Sequence, residues 1–246
     1  MGEKKTLRVR LRESEGHASG CLICGSPLQY DAVSRERTCA LCGRAFSAPC
    51  ACTEGHYVCD ECHALGSRGA FLPLLLGSGE RDPLKLFETV VGLPAVHLHG
   101  PEHHAIVPCV LLTAYRNCGG ELPDLRAALG EALRRAGDLK GGSCGYLGVC
   151  GAAAGAGVYV SIVTGSTPLS GETWHIPQEL AAQALKAVAG TGGPRCCKRS
   201  GRLAIAAAAK FTRERFGVDM PLGEVKCRHS ALNRECIGAK CPYYPG

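Results

Sequence analysis

Residues 21–63 have the sequence CLICGSPLQYDAVSRERTCALCGRAFSAPCACTEGHYVCDECH, in which cysteine and histidine recur in closely spaced pairs. In chain order the pairs are Cys21 and Cys24, Cys39 and Cys42, Cys52 and His56, and Cys59 and Cys62. A gap of two or three residues lets both side chains of a tight turn reach one tetrahedral zinc ion, which takes four such ligands. The segment lacks a sustained apolar repeat, so zinc would supply its folding energy, ~10–16 kcal/mol of apparent binding energy per structural ion. The sequence predicts a small zinc-binding module, ribbon-like or RING-like, with two zinc ions.

The spacing leaves the pairing of these ligands open. Sequential pairing would give two zinc ribbons or knuckles, whereas interleaved pairing would give a cross-brace, and GHYVCDEC (residues 55–62) resembles the middle of a RING finger. Cys50 and His63 are further candidates that could replace Cys52 or His56. Because each site would have four protein ligands and no free position, we expect the zinc ions to be structural.

The flanks of this segment differ from it in composition. Residues 1–20 form a polar lead, with one short strand predicted at Leu7–Leu11, and no apolar signal sequence opens the chain. We therefore expect a cytoplasmic protein, in which its 17 cysteines serve metal binding or redox chemistry rather than disulfides. The predicted organisation is the polar lead, a double-zinc module at 21–66, and a mainly α-helical domain at 67–246.

Alanine, leucine and valine at helical spacing support the helical domain. Asp82 and Pro83 are a typical helix start, an N-cap followed by proline at the first helical position. Residues 146–163 carry no charge and approach the length of a membrane span, but glycine and alanine dominate them. We expect a buried helix there and no membrane association. Further helices are predicted at 102–116, 123–136, 177–189 and 201–216.

Nine cysteines follow residue 100. Cys109 lies in an apolar run and is expected in the core, while the others adjoin glycine or cationic residues. Thiolates spread over several segments favour an iron–sulfur cluster over zinc, and glycines allow the backbone to approach such a cofactor. Residues 195–246 hold eleven Lys or Arg against four Asp or Glu, which suits an anionic metal centre or a small anionic substrate.

Several of these stretches resemble a domain family of unknown function that is found mainly in anaerobes. They are LHGPEHHAIVPCVLLTAYRNC (98–118), GGSCGYLGVCGAAAGAGVYVSIVTGSTP (141–168), GGPRCCK and the ending CIGAKCPYY. Members of that family often carry the same cysteine–histidine module in front. The resemblance covers nearly the whole chain and implies no activity.

A fainter similarity, in the order of IVP, GVCGAAAGAG and PRCCK, is to iron–sulfur L-serine dehydratases and cysteine desulfidases. It implies a [4Fe–4S] cluster with one iron left for substrate. Cys150 would be the first ligand, Cys196 or Cys197 the second, and Cys227 or Cys236 the third, because no cysteine stands at those enzymes' short spacing. Cys241, in the terminal Cys236-x4-Cys241-Pro motif, is a further candidate ligand.

Two functions follow as hypotheses. In an oxygen-sensitive lyase or desulfidase, the open iron would polarise a leaving group, and His103 and His104 would act as acid or base. Lys198, or alternatively Arg195 or Arg199, would pair with a substrate carboxylate. The alternative is a non-catalytic zinc and iron–sulfur adaptor, or an electron or sulfur carrier, that docks a partner protein or RNA through the zinc module. A fourth cysteine ligand would favour the alternative, because it would close the cluster.

Overall fold

The computed structural model describes residues 20–246, so the strand predicted at Leu7–Leu11 lies outside the described residues. A two-stranded antiparallel sheet comes first, formed by β1 (Leu28–Thr38) and β2 (Ala45–Cys52). The remainder of the described chain is mainly helical. The helices are α1 (Asp60–Gly77), α2 (Pro83–Val91), α3 (Glu102–Asn117), α4 (Leu125–Gly137), α5 (Ser143–Tyr146), α6 (Gly151–Val163), α7 (His175–Thr191) and α8 (Cys197–Phe216), followed by the short 3-10 turns Ser230–Leu232 and Gly238–Lys240.

Helix α3 lies at the centre of the helical domain. Every residue from Ala105 to Tyr115 is buried, and α1, α2, α4, α6 and α8 pack around it. A helix that is apolar on all sides can be stable only when other elements surround it. The predicted core position of Cys109 is confirmed, since its side chain is fully buried.

The predicted helices are present, with shifted ends. Asp82 caps α2, because its carboxylate accepts hydrogen bonds from the N–H groups of Leu84 and Lys85 at 2.8 and 3.2 Å. The uncharged stretch 146–163 is divided: α5 ends at Tyr146, and α6 begins only at Gly151. Within residues 20–246, no helix combines the length and the apolar character needed to cross a membrane.

Helix α1 joins the cysteine-rich segment to the helical domain. It starts directly after Cys59 and continues to Gly77, so it crosses the boundary expected at residue 66. Other contacts hold the two parts together: the Tyr146 hydroxyl donates to the Asp31 carbonyl at 2.8 Å, and the Arg195 guanidinium lies 5.1 Å from the Tyr30 ring centre. The cysteine-rich segment is thus fixed against the helices that follow it.

Close packing of α6 against α3 depends on glycine. A Cβ atom at Gly155 would stand 2.7 Å from the His104 carbonyl oxygen and 3.0 Å from Pro108 Cδ. We therefore expect Gly155→Ala to lower the free energy of unfolding by about 1–3 kcal/mol. Gly130→Ala is the matched control, since that exposed α4 position has open space for a Cβ, and it should raise stability by up to ~1 kcal/mol. Denaturant titrations of both variants check this, and equal effects would contradict it.

Candidate metal centres

The structure groups the first four ligand pairs in an interleaved order. Cys21 and Cys24 meet Cys52 and His56, and within this group all four ligand atoms lie within 4.8 Å of one another. Cys39 and Cys42 meet Cys59 and Cys62 in the same way. We call these groups the first and second N-terminal sites. Each has four candidate ligands and could hold one metal ion.

The β-hairpin explains this order. Leu28 pairs with Cys52 at one end of the hairpin, and Thr38 pairs with Ala45 at the other. The first site therefore lies at the end of the hairpin where β1 begins and β2 ends. The second lies at the turn between the strands, where α1 supplies its last pair. The two sites stand at opposite ends of one hairpin, as in a cross-brace.

The interatomic distances at both sites suit a tetrahedral ion. Cys24 Sγ lies 3.8 Å from Cys52 Sγ, and Cys42 Sγ lies 3.8 Å from Cys59 Sγ. A tetrahedral ion with metal–sulfur bonds of ~2.3 Å holds its sulfur ligands about 3.8 Å apart. His56 presents Nδ1 to the first site, 3.5 Å from Cys52 Sγ.

The local backbone and a nearby charge favour the thiolate at some of these cysteines, whereas burial raises the pKa of Cys21 and Cys59. Gly25 and Gly43 follow the first two cysteine pairs with φ of 78° and 72°, which lets each turn fold back around its sulfurs. At the second site the Cys59 N–H donates to Cys39 Sγ at 3.3 Å. The Arg44 side chain, hydrogen-bonded to Cys42, lowers the pKa of that thiol to about 6.

The two further candidates, Cys50 and His63, belong to neither N-terminal site. His63 instead faces Glu102, a wholly buried carboxylate that the sequence analysis did not consider. Glu102 Oε2 lies 3.1 Å from His63 Nδ1, and Oε1 lies 3.1 Å from His97 Nδ1. Burial alone would raise the pKa of Glu102, but the hydrogen bonds from the two histidines outweigh it, so the pKa lies well below its usual value.

The histidines and Glu102 form a third group whose ligand atoms are close enough to hold an ion. Their mutual hydrogen bonds already satisfy both carboxylate oxygens, so we assign them as a buried polar link between α1 and α3. In the sequence, the one feature that points to a role for Glu102 is its position within HGPEHH, next to His103.

Four late cysteines surround a separate small cavity at the start of α8. Cys196 caps that helix, and the three others come from the C-terminal segment that folds across it: Cys227, Cys236 and Cys241. Backbone bonds hold this segment in place, including Cys227 N–H to the Tyr243 carbonyl at 2.7 Å. The amide of Asn233 donates to Cys196 Sγ at 3.7 Å.

The sulfurs of this cavity differ from those of the N-terminal sites in their spacing. Within residues 20–246, no group of three ligand atoms within 4.8 Å of one another includes any of them. Each of three sulfurs accepts a backbone N–H at 3.4–3.5 Å: Cys196 from Arg199, Cys227 from His229, and Cys236 from Gly238. The set is therefore wider than a single-ion site, with amides already directed at its sulfurs.

Buried cations line the same cavity. Lys198, Arg199 and Arg202 are each at most 3% exposed. Arg202 is held by a two-pronged contact with Glu88, at 2.7 and 2.9 Å. A buried cation is costly unless an anion offsets it, and thiolates with an inorganic cluster would supply that charge.

A protein-family model matches residues 72–244, more than two thirds of the chain. The chain belongs to DUF5714, a family of unknown function. The predicted resemblance to a domain family of unknown function is thereby confirmed for these residues, while the similarity to iron–sulfur L-serine dehydratases stays a prediction. No curated protein and no solved structure matches the chain. The DUF5714 region includes all four cysteines of the late cavity and begins after the last residue of the N-terminal sites.

Two of the predicted cluster ligands in the DUF5714 region lie elsewhere. Cys150 and Cys197 line a neighbouring cavity, with Cys196 contributing to both. Cys150 caps α6, and its side chain is 9% exposed. Of the six cysteines proposed from the sequence, three line the first cavity without lining the second, two line the second without lining the first, and Cys196 lines both.

The predicted catalytic residues of the DUF5714 region also lie at two different cavities. His103 and His104 line the neighbouring cavity, and their Nδ1 atoms face carbonyls, Gly100 at 3.3 Å and Leu139 at 3.0 Å. Burial lowers the pKa of His103 well below its usual value, so the ring is neutral at pH 7. Lys198 does not line that cavity and lies on the four-cysteine cavity instead.

The Lys198 ammonium group is hydrogen-bonded to the protein's own backbone. Its Nζ donates to the carbonyls of Val91 and His97, at 3.4 and 3.1 Å, and burial lowers its pKa to about 8. This arrangement favours a role in holding the loop before α3 over contact with a substrate carboxylate.

Proposed function

We propose that this chain is a metalloprotein with two structural zinc ions and one [4Fe–4S] cluster, acting as an electron or sulfur carrier for a partner. One observation carries the proposal. Cys196, at the start of α8, and three cysteines of the C-terminal segment, Cys227, Cys236 and Cys241, line a single cavity. We call this space the cluster cavity. Its four cysteines offer one thiolate for each iron of a [4Fe–4S] cluster.

Zinc at the N-terminal sites is supported by their donor sets, three cysteines with one histidine at the first and four cysteines at the second. Both are among the closed sets typical of structural zinc, and their sulfur spacing of 3.8 Å is that of a tetrahedral ion. With every position taken by protein, such an ion stabilises the hairpin and leaves no place for a substrate. A folded module of this kind offers a surface for a partner protein.

An iron–sulfur cluster at the cluster cavity is supported by the spacing of its cysteines, which is wider than at the N-terminal sites. The same residue type is arranged too widely for one ion, which is expected when iron and sulfide occupy the space between the thiolates. Backbone N–H groups directed at cysteine sulfur and nearby positive charge are among the features that tune such clusters. The donor set and its surroundings therefore fit the group.

The fourth cysteine favours the carrier over the lyase. A dehydratase-type cluster needs one iron without a protein ligand, so that the substrate can bind it. Here four cysteines are available, and Cys150, the first ligand expected for a lyase, lies beside the neighbouring cavity. When bound, a fully ligated cluster supplies one-electron chemistry, and the chain around it sets its charge and access to solvent.

Metal and sulfide analysis of protein purified without oxygen tests this function. We expect about two zinc, four iron and four acid-labile sulfides per chain, with visible absorption that bleaches reversibly on reduction. Three zinc ions without iron would contradict the cluster, and iron without sulfide would do the same. Because zinc and iron are measured separately, the measurement tests the N-terminal sites and the cluster cavity independently.

A further inference from the structure

The C-terminal segment, residues 222–246, has an inner face toward the cluster cavity and an outer face toward solvent. Over residues 222–229, exposed residues alternate with buried or half-buried ones. Such alternation is typical of an extended chain with one face turned inward. It puts Cys227 on the inner face, where it lines the cavity, and it puts Lys226 and Arg228 on the outer face. The same stretch of chain therefore supplies one thiol to the cavity and two cations to the surface above it.

Two more exposed cations of the segment stand beside cavity cysteines. Arg234 precedes Cys236 by two residues, and Lys240 directly precedes Cys241. Each of the four cations is thus within two residues of a cysteine that lines the cavity, which puts its Cα within about 7 Å of the cysteine Cα. The four positive charges therefore lie close to one cavity, although none of them lines it.

The four exposed cations have no partner of opposite charge in the described part of the chain. Within residues 20–246, none of their side chains forms an ion pair. The segment has two acidic residues: Glu224 is exposed near its start, and Glu235 is turned to His99, with Oε2 3.3 Å from Nε2. The exposed charge of the outer face is therefore mainly positive. A surface of one sign attracts partners of the opposite sign and orients them before contact.

The segment also exposes two apolar side chains. Tyr244 lines the cluster cavity and is nevertheless 38% exposed, so its ring reaches from the cavity to the surface. Leu232, in the 3-10 turn that begins at the cavity residue Ser230, is 47% exposed. Apolar and aromatic side chains within a polar, charged rim are the usual anatomy of a protein–protein interface. A partner that covers Tyr244 is separated from the cluster cavity by one side chain.

The aromatic content of the segment favours a protein over single-stranded RNA as the occupant. Proteins that bind single-stranded RNA stack successive bases on several aromatic rings along a basic groove. The segment has two tyrosines, and Tyr243 is turned inward, with the Arg202 guanidinium 5.4 Å from its ring centre. Tyr244 is left as the single exposed tyrosine ring of the segment, which cannot stack a run of bases. The outer face therefore suits an acidic protein.

We propose that the outer face of the C-terminal segment docks an acidic electron-transfer protein. Carboxylates of that partner pair with the four exposed cations, and its redox centre comes to rest near Tyr244. The reduced partner loses one electron, a [4Fe–4S]²⁺ cluster gains it and becomes [4Fe–4S]⁺, and no covalent bond is made or broken. The proposal rests on the carrier function proposed above, for which it names the class of partner and the docking face.

Calorimetry of the intact, anaerobically purified protein with oxidised flavodoxin, a small acidic one-electron carrier, tests the docking face. We expect binding that weakens at least about tenfold when the ionic strength rises from about 0.01 to about 0.15 M, because salt screens exposed charges. Cytochrome c, a basic carrier, should not bind. Absence of flavodoxin binding, binding that salt does not weaken, or tighter binding of a single-stranded uridine 15-mer would each overturn the proposal.

Two doubly substituted variants with equal changes in net charge locate the binding. Arg228→Glu with Lys240→Glu reverses two charges of the outer face and should lower the affinity for flavodoxin at least about tenfold. Arg126→Glu with Lys186→Glu reverses two exposed charges on α4 and α7 and should change it less than about twofold. Equal losses in the two variants would show that net charge alone drives the binding, which contradicts a docking face on this segment.

Iron content measured on the same samples separates this proposal from the function on which it rests. Full iron content without flavodoxin binding refutes the docking face alone. Salt-dependent flavodoxin binding by protein that lacks iron refutes the cluster and the electron transfer but not the docking face.

Discussion

Cys236→Ala is expected to reduce the iron content from about four atoms per chain to less than about one. A fully ligated [4Fe–4S] cluster has one thiolate on each iron, so removal of one leaves an iron without its protein ligand. Cys196→Ala, Cys227→Ala and Cys241→Ala should have the same effect, while zinc stays at about two. Metal analysis and visible absorption of anaerobically purified variants measure this.

Two variants in the same region serve as matched controls. Cys150→Ala and Cys197→Ala each remove a thiol that lines the neighbouring cavity without lining the cluster cavity, so they should keep the iron. Cys118→Ala, at the C-terminal end of α3 near Arg81, should keep it as well. Loss of iron from Cys150→Ala together with its retention in Cys241→Ala would reverse the assignment and restore the lyase-type ligand set.

Cys39→Ala is expected to release one of the two zinc ions and to unfold the hairpin. A structural zinc contributes ~10–16 kcal/mol of apparent binding energy, and most of β1 is exposed, so burial of apolar side chains cannot replace it. Amide hydrogen exchange in β1 and β2 should become fast, while the core of α3 stays protected.

Cys50→Ala is the control for this effect. Cys50 lies in β2, opposite Tyr30, and belongs to neither N-terminal site. It should keep both zinc ions and slow exchange in the hairpin. A hairpin that stays protected after Cys39→Ala, with one zinc missing, would show that the ion is not what holds the module together.

The sequence predicted the helices and the metal-binding pairs because both depend on local patterns. Asp82 and Pro83 specify a helix start within a few residues, and each Cys-x2-Cys turn is complete by itself. The order in which the pairs combine is not local. It follows from the antiparallel register of Leu28 with Cys52, which puts the pair before β1 beside the pair that begins with the last residue of β2.

The late sites depended on tertiary packing and were harder to predict. Spacing along the chain could not show that the start of α6 places Cys150 beside a different cavity from Cys236 and Cys241. Glu102 was missed for a similar reason. Its role depends on His63 and His97, and His63 comes from α1, a helix that begins well before α3 in the chain.

Iron X-ray absorption on the anaerobically purified protein tests most directly whether four cysteines enclose one cluster. We expect a first coordination shell of sulfur alone and a strong iron–iron shell, with neither changed by Cys150→Ala. Oxygen or nitrogen in the first shell, or the absence of an iron–iron shell, would contradict it.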